Sequence, residues 1–131
     1  MKTIILFFVV VIGSMIYLHQ SLQNGTILRF IDEYPHSQYA PQATYVIGQG
    51  YYLFQDLPEA ATYFWRITQR YPKNALGDDA AFSYLQCLDD MASVSRSELV
   101  DGYRTYLENY PDGKHAEIAK ARQNTYQSSS H

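Results

Sequence analysis

The sequence predicts an all-α protein: a short solenoid of helical hairpins preceded by one apolar helix of near-membrane length. Three observations carry this expectation. Residues 3–18, TIILFFVVVIGSMIYL, hold no charge at all. Three Tyr-Pro pairs, Tyr34-Pro35, Tyr71-Pro72 and Tyr110-Pro111, recur with proline spacings of 37 and 39 residues, and a period in this range marks a stacked helical repeat. Between the prolines, apolar residues return at the three- and four-residue intervals of a helix with one buried face.

As a helix, residues 3–18 would span about 24 Å at ~1.5 Å per residue, a little short of a ~30 Å hydrocarbon core. Eleven of these residues are Ile, Leu, Phe or Val, so insertion into a bilayer is favoured by roughly 3–7 kcal/mol before the small cost of Thr3, Gly13 and Ser14. A cleaved signal peptide and a retained anchor compete for this segment. Cleavage wants a small-x-small site, and the best candidate, Val11-Ile12-Gly13, is weak. The apolar run also continues through Met15, Ile16, Tyr17 and Leu18, and Tyr17 suits an interfacial position. A retained anchor over residues 1–20 is therefore expected, with residues 21–25 as linker. Lys2 is the only basic side chain before Arg29, which by the positive-inside rule puts the N-terminus in the cytoplasm and the bulk of the chain outside it.

The repeat domain is expected over residues 26–126. GTILRFIDEY (25–34) reads as the second helix of an incomplete first unit. From about Gln38 to Phe54 the apolar positions are Ala43, Val46, Ile47, Gly50, Tyr51 and Phe54. DLPEA then supplies a helix start, with Asp56 as N-cap, proline in the first turn and Glu59 at the capping-box position. That helix runs to Tyr71, with Ala60, Ala61, Phe64 and Ile67 on its buried face. Proline ends it, because the residue before proline is driven out of the helical region. A second unit follows the same plan: a helix from about Leu76 to Met91, a capping box at Ser95 and Glu98, then a helix to Tyr110 burying Leu99, Tyr103, Tyr106 and Leu107. A last helix from about Lys114 to Tyr126 precedes a polar tail, 127–131. Small residues keep register with the prolines. Ala40, Gly77 and Ala116 lie five residues on; Ala43, Ala80 and Ala119 lie eight on; Gly48 and Leu85 lie thirteen on. Such a ladder lets neighbouring helices approach closely.

These positions resemble the tetratricopeptide repeat. Gly48, Tyr51, Ala60, Phe64 and Pro72 stand where that family has its Gly, Tyr, Ala, Phe and Pro. Thr44 replaces the family's Trp and Ile47 its Leu, while Leu85, Leu88, Leu99 and Tyr103 of the second unit keep only apolar character. The phrase Tyr34-Pro35, Ser37, Ala40, Ala43 is similar to bacterial envelope members, of the β-barrel-assembly lipoprotein type and the Tol-Pal coordinator type. Those lipoproteins carry a lipidated cysteine after the signal; this chain has only Cys87, in mid-helix, so a protein anchor would have to replace the lipid. The resemblance implies a solenoid whose first helices line a concave, partner-binding face. By the family's register that face carries Tyr45, Gln49 and Tyr52 from one unit and Phe82, Gln86 and Asp89 from the next. Some of these aromatics could instead simply cover a thin core. Ala43, Gly48, Tyr51, Ala60, Phe64, Pro72 and Ala80 are expected to hold the stack.

The remaining composition narrows the functional class. A net charge of −3 with no basic stripe argues against a nucleic-acid partner. The single cysteine excludes an internal disulfide framework and Cys-x-x-Cys chemistry. Thirteen tyrosines against one tryptophan suit thin, partly wet layers. His19, His36, His115 and His131 are isolated in sequence and read as solvated loop or terminal residues, so neither a metal nor a cofactor is expected. Asp78-Asp79 and Asp89-Asp90, eleven residues apart on one helix, could form a cation or basic-peptide site, but favourable placement at a helix N-terminus and an exposed helix end explains them more simply. The expected function is non-catalytic: an accessory or scaffold subunit docking onto a larger membrane or envelope complex. The alternative is a soluble periplasmic adaptor released by signal cleavage.

Overall fold

Each Tyr-Pro pair builds the same seam between helices. At Tyr34, Tyr71 and Tyr110 the backbone leaves the helical region at nearly identical angles (φ −127, −132 and −132; ψ 58, 49 and 62). The N–H of each tyrosine still donates to the last turn of its helix, at Phe30, Ile67 and Tyr106. Two further bonds then repeat in register: Ser37, Asn74 and Gly113 donate to the Tyr-Pro tyrosine, and Ala40, Gly77 and Ala116 donate back to those same three residues. Proline can neither donate to a helix nor allow its predecessor to stay in one, so the chain turns where the sequence places it.

The computed structural model describes residues 1–129, and of residues 22, 26 and 27 the backbone only. Among the described residues there are seven helices and no strand: α1 (Lys2–Gln23), α2 (Thr26–Glu33), α3 (Ala40–Leu53), α4 (Leu57–Arg70), α5 (Gly77–Asp90), α6 (Arg96–Asn109) and α7 (Ala116–Ser128). α3 with α4, and α5 with α6, form successive helical hairpins; α2 and α7 are half-units at either end. The difference between the two proline spacings resides in the hairpin loops, three residues at Phe54–Asp56 against five at Met91–Ser95. His131 and the end of the expected polar tail lie outside the described residues.

The small-residue ladder does its expected work. Ala40, Ala80 and Ala119 are fully buried, Ala116 and Gly77 are buried, and Ala43 is partly covered. At Gly48 the helices cross closely: a Cβ there would stand 2.8 Å from Cε1 of Phe64, a residue itself only 2% exposed. Around this crossing, Ala60, Ala61, Phe64 and Cys87 form one core cluster, and Ile31, Ile47 and Tyr63 another. Tyr51 stacks on Tyr63 at 5.4 Å between centroids. Thr44, where the resemblance would place Trp, is fully buried and donates its hydroxyl to the Ala40 carbonyl at 2.7 Å. A third cluster unites Phe82, Leu85, Tyr103, Tyr106 and Ala119.

Three expectations need correction. Val46 is exposed rather than buried, because it falls on the side of α3 away from the buried Thr44 and Gly48. Asp56 precedes α4 but makes no capping bond with its side chain. Its ψ of 73 falls short of the extended value of 154 that swings Ser95 over α6, where the full capping box with Glu98 forms. The linker also shrinks. α1 continues through Gln23, leaving only Asn24 and Gly25 before α2, with Gly25 at φ +66, a conformation glycine adopts without steric cost.

α1 is long and apolar enough to cross a membrane over Lys2–Ser21, and that span is not buried against the rest of the chain. Its far end does touch the domain: the His19 ring lies 4.8 Å from Phe54.

Gly48→Ala should destabilise the protein. An alanine in mid-helix gains about 1 kcal/mol in propensity, but overpacking against a ring that cannot yield costs about 1–3 kcal/mol. Urea titration followed by circular dichroism should show a lowered midpoint, and adding Phe64→Leu should restore part of it.

Candidate protein-docking groove

Four of the six residues expected on the concave face converge on one recess. Tyr45, Gln49 and Tyr52 from α3 face Ser83 and Gln86 from α5 across an open groove of about 350 Å³, whose lining also includes Phe64 of α4 and Leu53. The spacing along α3 puts Tyr45, Gln49 and Tyr52 on one stripe, and the repeat carries Gln86 to the place matching Gln49. Tyr45 leans on Phe64 with centroids 5.4 Å apart, and its hydroxyl lies 3.4 Å from Ser83 Oγ, joining the two first helices. Tyr52 donates its hydroxyl to Asp90 Oδ2 at 2.7 Å. That hydrogen bond, with burial, pushes the phenol up to about 12. The tyrosine stays neutral and occupies an oxygen of the carboxylate at the rim.

Inside the rim, no charged side chain among the described residues lines the groove. Gln49 and Gln86 are exposed, and each primary amide offers two donors and a carbonyl acceptor, the complement of a peptide backbone. The arrangement suits a neutral segment of chain laid between two amides over an aromatic floor.

Phe82 and Asp89 do not belong to this face. Phe82 is 6% exposed and stacks on the His115 ring, 4.3 Å between centroids and 6° from parallel. Asp89 lies under the last half-unit, accepting from Tyr103 at 2.7 Å and from the Tyr126 hydroxyl, with Arg122 3.7 Å away. Burial, followed by the bond to Asp89, raises the Tyr103 hydroxyl far above its ordinary value. Both expected contacts are taken up by the next unit of the chain, so substituting them would report on folding and not on docking.

His115 likewise differs from the solvated loop residue expected of it. Its Nε2 donates to Asp79 Oδ1 at 2.8 Å, and Lys114 Nζ stands 3.3 Å from Asp79 Oδ2. Asp78 accepts from the Tyr106 hydroxyl and from the Lys114 backbone N–H. These carboxylates sit in the first turn of α5 as expected, but they also fasten the third seam. In the first two seams Ser37 and Asn74 accept from the backbone N–H two residues on, at 3.3 and 3.0 Å. The third seam has Gly113 instead, and Tyr106 takes over by accepting from the His115 N–H. A Cβ on Gly113 would stand 2.8 Å from the Tyr106 oxygen and 2.9 Å from Asp78 Oδ2, so the glycine is what admits them.

A larger apolar groove, which the repeat pattern does not place, lies on the other face. Trp65 of α4, Tyr84 and Leu88 of α5 and Val94 border a recess of about 720 Å³ between α4 and α6. Trp65 lies off the Ala60–Phe64–Ile67 stripe and is half exposed, which is the one sequence signal available for it. Cys87 is fully buried and its thiol is pushed up to about 12 by burial, which favours the neutral thiol over the thiolate. Among the described residues no three His, Cys, Asp or Glu side chains gather as metal ligands would. No protein-family model matches the chain, and no curated protein matches it.

The bond from His115, reinforced by Lys114, holds the Asp79 carboxyl below its ordinary 3.8. A folded-state value below the unfolded one stabilises the protein above pH 3.8, and that stabilisation disappears as pH falls through the folded value. Asp79→Asn should therefore be less stable than the parent at neutral pH, with the gap closing below about pH 4. Thermal melts from pH 7 to pH 2.5 check this.

Proposed function

We propose that this chain is a membrane-anchored tetratricopeptide-type protein acting as a non-catalytic accessory or scaffold subunit of a larger membrane or envelope complex. The observation that carries the reading is the recess shared by Tyr45, Gln49 and Tyr52 with Gln86: equivalent positions of successive units supply one uncharged, amide-bearing groove. Three seams with the same hydrogen-bond register support the repeat assignment. The stack holds two complete hairpins and two halves, near the lower limit for such arrays, which favours completion by another protein subunit.

In this reading residues 3–18 anchor the chain, the N-terminus is cytoplasmic, and the solenoid is periplasmic or otherwise extracytoplasmic, following the lone Lys2 before the apolar run. Nucleic acid is not a partner in it, given the net charge of −3. Contact between His19 and Phe54 favours a retained α1 over the soluble periplasmic adaptor. An intact mass of the native protein distinguishes them; loss of residues 1–20 would replace the anchored subunit with the adaptor.

Gln49→Ala combined with Gln86→Ala tests the groove. Both side chains are exposed, and substitutions at such positions usually move stability by no more than about 0.5 kcal/mol. A tagged full-length chain, purified from its native membrane in mild detergent, should lose a specific co-purifying subunit in the double variant while its helicity is unchanged. Equal recovery of every co-purifying protein would show that docking does not use this groove.

A further inference from the structure

The domain has one conspicuous apolar tip, at the end of α3. Apart from Met1, Leu53 is the most exposed large apolar side chain among the described residues, at 75%. It is followed by Phe54 and Gln55, and Gln55 is the one non-glycine residue among those described with positive φ, at +61. The nearest charge along the chain is Asp56, because α3 itself carries none.

The position of this tip relative to α1 is fixed by contact. The Phe54 ring lies 4.8 Å from the ring of His19, and His19 directly follows the uncharged run that ends at Leu18. Leu53 is the neighbour of Phe54, about 3.8 Å away along the backbone. Only Asn24 and Gly25 separate α1 from α2, and both α2 and α3 touch α1. If α1 crosses a bilayer, the α3–α4 turn therefore stands at the level where that helix leaves the hydrocarbon.

We propose that Leu53 and Phe54 rest in the headgroup–acyl boundary of the membrane that α1 spans, giving the domain a second contact with lipid. The inference rests on the anchored reading of α1. The partner is the lipid surface itself, chosen by location and by the apolar, uncharged character of the tip. Apolar side chains at a membrane-level turn enter the boundary through loss of water-exposed area, and this does not need anionic lipid. With Asp56 and Glu59 exposed just beyond the tip, anionic headgroups would gain nothing, so phosphatidylcholine is a sufficient surface.

The test uses the full chain in phosphatidylcholine proteoliposomes without any other protein. An environment-sensitive fluorophore is placed at Leu53→Cys or, on α7 at the other end of the stack, at Ile118→Cys, also an exposed apolar position. Cys87 can remain, since it is fully buried. The probe at Leu53→Cys should be quenched several-fold more by lipid-borne nitroxide than the probe at Ile118→Cys, and protected from aqueous iodide. Equal iodide quenching at both sites, in protein that resists carbonate extraction, would overturn the second contact and leave the anchor intact. Release of the protein by carbonate would overturn the anchor and the inference together.

Discussion

Everything above the level of the single helix depends on the restriction that proline imposes on the residue before it. Tyr34, Tyr71 and Tyr110 are each forced out of helical geometry at the same angles, and a six-residue seam then delivers the chain to the next helix in the same register each time. With the seam fixed, positions five and eight residues past the proline always face the preceding pair, and only small side chains fit there. The buried aromatics follow from that closeness: Phe64 fills the space Gly48 leaves open, and Tyr51 can lie flat against Tyr63. A helix ending one residue late would turn its stripe by about 100° and separate these partners.

The third seam obtains the same geometry by other means. Where Ser37 and Asn74 use their own side-chain oxygens, Gly113 has none, and the N–H groups of Lys114 and His115 donate instead to Asp78 and Tyr106 of the unit before. The bonds that close this seam are thus made by α5 and α6, and the terminal half-unit becomes part of the hairpin it follows. Tyrosine is suited to this, having a rigid apolar ring for the layer and a hydroxyl at its edge for a carboxylate. Tyr103 and Tyr126 meet at Asp89 in the same way.

Much of the fold was legible because it is written in local terms. Prolines, the Ser95–Glu98 box and helical spacing each act within a few residues, and the helix boundaries expected from them differ from the observed ones by only a few residues. The groove was half legible. Tyr45, Gln49, Tyr52 and Gln86 could be placed by the register that the resemblance implies, since they line a face that the chain leaves open. Phe82 and Asp89 could not, because what covers them comes from residues 115, 103 and 126, and a repeat period is silent about how its last half-unit closes. His115 was misread for the same reason: its partners, Asp79 and Phe82, lie more than thirty residues away. The recess beside Trp65 was signalled only by that residue's place off the buried stripe of α4, as its walls come from several helices.

On the proposed reading of a membrane-anchored docking subunit, the two-residue connection at Asn24–Gly25 has a consequence for how partners would be chosen. With α1 held in a bilayer, so short a joint leaves the solenoid no tether on which to roam. Its groove would sweep a thin layer at one height above the membrane, as a head turning on a fixed neck. Partners whose recognised segment emerges at that height would meet it at high effective concentration. Those presenting the same segment farther out would scarcely encounter it, whatever their intrinsic affinity. Selection would then be made partly by altitude, before any side chain of the groove is touched.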